Sequence, residues 1–73
     1  MGKLRVLSGE QVAGILRANG FEEVRRRGSH IIMQKKLYGT TVTVPIPNHR
    51  ELRFGTLSAI VRQSHLPREQ FES

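Results

Sequence analysis

The chain has 73 residues, with 12 Lys and Arg against 6 acidic residues that are all Glu, no Cys, and a net charge of +6. A chain this short buries only roughly 60% of the surface its unfolded form exposes, so residues 1–73 are expected to form one domain with a modest core, no deep cofactor cavity and its function on the surface. Without Cys there is no disulfide framework and no thiolate zinc site, and without Asp the carboxylate clusters that hold paired catalytic metal ions are hard to build.

Ser8 followed by Gln11 is a capping box, and Val12, Ile15 and Leu16, with Ala13 beside them, recur at helical spacing, predicting a first helix over Gly9–Ala18. Asn19-Gly20 supplies a left-handed stop, after which Phe21 can fold back on the helix end. Gly14 inside this helix costs about 1 kcal/mol relative to Ala and marks either close backbone packing or simple tolerance. The period then changes. Residues 22–27, 30–36 and 41–44 read as three short strands separated by Gly28-Ser29 and Tyr38-Gly39, which suits two consecutive antiparallel hairpins. Pro45 and Pro47 cannot both donate to a central ladder, so the third strand is expected to end near Val44 and a loop to run through Phe54. Thr56 is expected to cap a second helix with Leu57, Ile60 and Val61 on its apolar face, Pro67 to stop it, and Phe71 to pin the tail in a short final turn.

The predicted order is α-β-β-β-α, an α+β fold with both helices on one face of a three-stranded antiparallel sheet and the other face wet. On the second strand Ile31, Met33 and Lys35 are placed inward and His30 and Gln34 outward, with the opposite register left open by Ile32. Arg25 and Arg27 share one face, and Arg26 points the other way with Val24.

The charge is uneven along the chain. Residues 24–55 hold seven cations against Glu51 alone, which is the entire +6. A positive field of this kind suits a polyanion, and nucleic acid is the first expectation; an ordinary basic surface is the alternative. No run is long enough to span a membrane, and residues 1–7 lack the apolar block of a signal peptide, so the expected location is the cytoplasm, with no membrane partner.

Three histidines, His30, His49 and His65, are the side chains that titrate near neutrality. Their separations match no local metal-ligand pattern, and no metal or other cofactor is expected. A Ser-His-Asp triad is excluded for want of Asp. Ser29 and His30 are neighbours on a strand and point to opposite faces, so Ser29 is read as shaping the turn. His65 suits the negative end of the second helix. His30 has the best position, at the start of a strand with Arg25, Arg26 and Arg27 folding back beside it. An imidazole among fixed cations is what RNA cleavage needs: a base to take the ribose 2′-hydroxyl proton, and positive charge for the phosphorane. Arg25, Arg27, Gln34, Lys35 and Lys36 are the candidate RNA contacts.

Leu16 followed by Gly20-Phe21, then Gly28-Ser29-His30, Thr43-Val44-Pro45, Glu51-Leu52, and Gly55-Thr56-Leu57 with Ile60 resembles the HicA family of toxins from HicA and HicB toxin–antitoxin pairs. The resemblance implies a fold like a double-stranded RNA-binding domain and a ribosome-independent mRNA interferase whose catalytic His belongs to the Gly-Ser-His motif, here His30; the chemistry read from His30 and its neighbouring cations makes the expected endoribonuclease metal-independent. Ser29 of that motif and His49 are candidates for supporting it. Family members often carry a second His two residues after the Val-Pro, where this chain has Pro47 and places His49 two residues further on. The resemblance also implies mRNA as substrate and a HicB-like antitoxin partner that covers the active face and carries any contact with DNA. A non-catalytic RNA-binding module of the same fold is the competing reading. It fits less well, because the second helix opens with Gly55-Thr56-Leu57 and not with the lysines that a double-stranded RNA binder presents to phosphates.

Overall fold

The computed structural model describes residues 2–73 and orders them as α1 (Gly9–Ala18), β1 (Glu22–Arg27), β2 (His30–Leu37), β3 (Thr40–Pro47), α2 (Phe54–Ser64) and a 3-10 turn over Arg68–Phe71. The capping box forms at α1: the Gln11 amide donates to Ser8 Oγ at 3.0 Å, and the Ser8 amide donates to Gln11 Oε1 at 2.8 Å. At its other end Gly20 turns with φ of +93°, which lets the Phe21 amide reach back to the Leu16 carbonyl at 3.0 Å and buries the Phe21 ring. A Cβ at Gly14 would meet no neighbouring atom within 4 Å, so this glycine reflects tolerance. Gly9 is the position with a steric demand, because a Cβ there would overlap the Pro47 carbonyl oxygen. The start of α1 therefore sits directly against the end of β3.

The sheet is antiparallel in the order β1-β2-β3. Ile31, Met33, Val44 and Ile46 are fully buried on one face, where α1 and α2 supply Val12, Ala13, Leu16, Leu57 and Ile60. His30, Ile32, Gln34 and Lys36 alternate with these and lie on the open face, as the outward placement of His30 and Gln34 requires. Tyr38 and Gly39, with φ of 48° and 81°, form the tight β2–β3 turn whose left-handed backbone matches strand twist.

Three expectations need correction. β3 runs past Val44 to Pro47, because it is an edge strand: Pro45 and Pro47 are two residues apart, so their nitrogens point to the same side, away from β2. α2 begins at Phe54, with Arg53 at its N-cap and no side-chain cap, so Thr56 lies inside the first turn and caps nothing. The register of β1 slips between Glu23 and Arg25. This bulge turns Val24 out of the helix-facing set and leaves it exposed, while Glu23 and Arg26 both face the helices.

The tail closes the core as predicted. Phe71 is fully buried, its carbonyl accepts from the Arg5 amide at 2.9 Å, and Leu4 bridges to Glu72.

Candidate functional site

The open face is assembled by cross-strand pairing. His30 on the central strand stands opposite Arg27 of β1 on one side and Pro47 of β3 on the other. Ile32 lies between Arg25 and Pro45, and Gln34 between Glu22 and Thr43. Directly opposed residues in antiparallel strands have Cβ atoms roughly 5 Å apart, so Arg27 is an immediate neighbour of His30 and Arg25 a diagonal one. His30 is exposed and makes no side-chain hydrogen bond among the described residues, and neither Arg25 nor Arg27 takes part in an ion pair there. Gln34 is partly engaged, its amide donating to Thr43 Oγ1 at 3.2 Å, and Lys36 is exposed further along β2.

Arg26, between two free arginines in sequence, is fully committed on the opposite face. It reaches Glu10 of α1 at 2.7 Å and Glu23 at 2.9 Å, and Arg17 joins Glu23 at 3.3 Å. The hydrogen bond from Arg26 and its positive charge hold the Glu10 carboxyl below the usual glutamate range, and Glu10 and Glu23 in turn push the Arg26 guanidinium up. These acids are thus spent on fastening β1 to α1.

Lys35 does not join the open face. It points toward the helices, donates from Nζ to the Asn19 carbonyl at 2.8 Å, and sits 5.9 Å from the Phe21 ring centroid, so it caps the negative end of α1. Of the proposed RNA contacts, Arg25, Arg27, Gln34 and Lys36 share a face and Lys35 is separate. Ser29 lies in the β1–β2 turn just before β2, and its carbonyl accepts from the Asn48 amide at 2.6 Å, which ties this turn to the segment after β3. The next residue, His49, is exposed, and its carbonyl accepts from the Gly9 amide at 2.9 Å. His65 ends α2 in the left-handed conformation with φ of 61°. Among the described residues no group of three His or Glu side chains converges to hold a metal ion.

The reading from residues missed what lies on the far side of His30. A shallow groove of about 390 Å³ runs between the β3 edge and α2, walled by His30, Pro45, Pro47, Thr56, Ala59 and Gln63. Thr56, Ala59 and Gln63 recur at helical spacing beside the buried stripe of Leu57, Ile60, Val61 and Ser64, a pattern visible in the sequence once a groove is known to exist.

Fold and face together define a small basic α+β domain that presents a histidine among free cations on an uncovered sheet. The family model of the HicA toxins of bacterial toxin–antitoxin systems matches residues 9–66, from the first residue of α1 to just beyond α2, and the chain belongs to this family. A search of curated protein sequences returned no match. Membership makes the chain a toxin component and implies a cognate antitoxin and an RNA target. No helix among the described residues is long and apolar enough to cross a membrane.

Proposed function

We propose that the protein is a ribosome-independent mRNA endonuclease in which His30 is the general base. The observation that carries this reading is the placement of His30 on the open face, free of side-chain hydrogen bonds among the described residues and directly opposite Arg27, which has no ion-pair partner among them. The neutral imidazole takes the proton from a ribose 2′-hydroxyl, the 2′-oxygen forms a bond to the adjacent phosphorus, and the bond from phosphorus to the 5′-oxygen breaks as that oxygen takes up a proton from solvent water at this exposed face. Arg27 and Arg25 stabilise the extra negative charge of the phosphorane, and Lys36 and Gln34 extend the strand-binding face. His30 supplies the base and Arg25 and Arg27 the positive charge, so the scheme is written without a metal ion. The products are a 2′,3′-cyclic phosphate and a 5′-hydroxyl.

The test is cleavage of a defined RNA in excess chelator by the parent chain and by His30→Ala. The parent should cut, and the variant should not. Its thermal unfolding should stay within about 0.5 kcal/mol of the parent, because an exposed side chain leaves no cavity. Replacing the ribose at the cut site by its 2′-deoxy form should abolish cutting while keeping every phosphate contact. Cleavage at the deoxy site would mean that water attacks, and the mechanism would fail.

The antitoxin, on this reading, covers the His30 face and offers acidic groups to Arg25 and Arg27. Hydrogen exchange of the complex should show protection in β2 and β3. Protection confined to α1 and α2 would rule out direct occlusion.

A further inference from the structure

We propose that the groove between the β3 edge and α2 is a nucleobase subsite that seats one base beside the phosphate handled by His30, with Gln63 and Thr56 reading its edge. This inference rests on the proposal that the open face takes RNA, and it adds which part of the nucleotide lies on which side of His30.

The position of β2 in the middle of the sheet makes the division. Arg27 and Arg25 lie on the β1 side of His30, and Pro47 and Pro45 on the β3 side. An RNA strand crossing the sheet therefore meets cations before His30 and a neutral, largely apolar groove after it. No Lys or Arg lines that groove, so it offers nothing to a phosphate. It suits a base: the proline rings, Ala59 and Ile60 provide apolar walls for the flat faces, and its volume of about 390 Å³ falls within the range of small-ligand clefts. The polar groups are placed to match. The Thr56 hydroxyl and the Gln63 amide line the groove, and neither side chain hydrogen-bonds to another group among the described residues. A Gln amide carries both a donor and an acceptor, which is the pairing a base edge requires. Because the groove wall includes His30 itself, a base seated there has its own sugar and phosphate next to the imidazole.

The experiment uses the full chain carrying His30→Ala, so that RNA stays intact, and measures by fluorescence anisotropy the affinity for a short mixed-sequence single-stranded RNA and for versions with one abasic position each. One position should show an abasic penalty of about tenfold, within the range of a single stacked base. Adding Ala59→Trp, whose indole fills the groove, should erase that penalty. Adding Gln63→Ala, an exposed position whose truncation does not threaten the fold, should keep the penalty but flatten the affinity ranking of the four bases at that position. An abasic profile that Ala59→Trp leaves unchanged, or a base ranking that Gln63→Ala leaves unchanged, overturns the subsite; if Ala59→Trp does not fold, the Gln63→Ala ranking decides. The outcomes separate from those of the catalytic proposal. A parent chain that cuts RNA while the abasic profile ignores both variants defeats only the subsite, and one that fails to cut while the profile responds defeats only the catalysis.

Discussion

Arg25, Arg26 and Arg27 are adjacent in sequence, yet the structure divides them: the outer two stand on the open face with no ion pair among the described residues, and the middle one is tied to Glu10 and Glu23 on the other. The division predicts a difference in how RNA binding responds to salt. On single strands each phosphate neutralised by a cation contributes about 0.7 to the slope of log affinity against log salt. Replacing Arg25 and Arg27 together by Gln removes two such contacts, so the slope should become shallower by about 1.4. Between 50 and 200 mM salt, the affinity lost by the double variant should then be about sevenfold smaller than the loss for the parent, alongside weaker binding throughout. Arg26→Gln should leave the slope where it is and instead lower the unfolding temperature, since its partners are on the protein. The assay is anisotropy with labelled RNA across a salt series, in the His30→Ala background. A slope unchanged in the double variant, or reduced as much by Arg26→Gln, would show that the cations on this face do not meet the phosphates and would refute the reasoning.

Two other predictions concern what holds the site in place. Gly14→Ala should stabilise the chain by about 1 kcal/mol, because the added methyl meets open space and favours the helix, whereas Gly9→Ala should destabilise it by about 1–3 kcal/mol by forcing α1 away from the Pro47 carbonyl; urea unfolding compares the two. The depressed Glu10 carboxyl links stability to pH: the folded state binds its proton less readily than the unfolded state, so the pair with Arg26 contributes fully above the usual glutamate range, about pH 4.3, and its contribution fades as pH falls below it. The advantage of the parent over Glu10→Gln in thermal melts should accordingly shrink on acidification, and a difference constant with pH would show that the ion pair contributes nothing.

Much of the frame is legible in the residues because the signals are local. Ser8 and Gln11 must meet if a helix follows, Gly20 can adopt a positive φ that other residues avoid, and Ile31 and Met33 two apart must share the buried face. The outward placement of His30 follows from the same alternation, and the ordered motifs around it carry the family. Phe71 is the most distant element read correctly, since a lone large aromatic in a polar tail has little to gain except burial.

Periodicity within one strand determined which residues could face outward together; it did not determine what their neighbours would be. That depended on pairing between strands and on helix placement, which are properties of distant segments. Pro45 and Pro47 continue β3 because the strand lies at an edge, where a missing N–H goes unasked for, and strand order is not written in the strand itself. A one-residue bulge at Val24 puts Glu23 and Arg26 under α1 and so frees Arg25 and Arg27 for the open face. Lys35 looks like one more cation beside Lys36, and only the position of the α1 carboxyl end, reached through the Phe21 turn, makes it a cap for Asn19. The groove beside His30 exists because α2 packs along the β3 edge, joining residues from 30 to 63 across separations over which sequence spacing carries no geometric information.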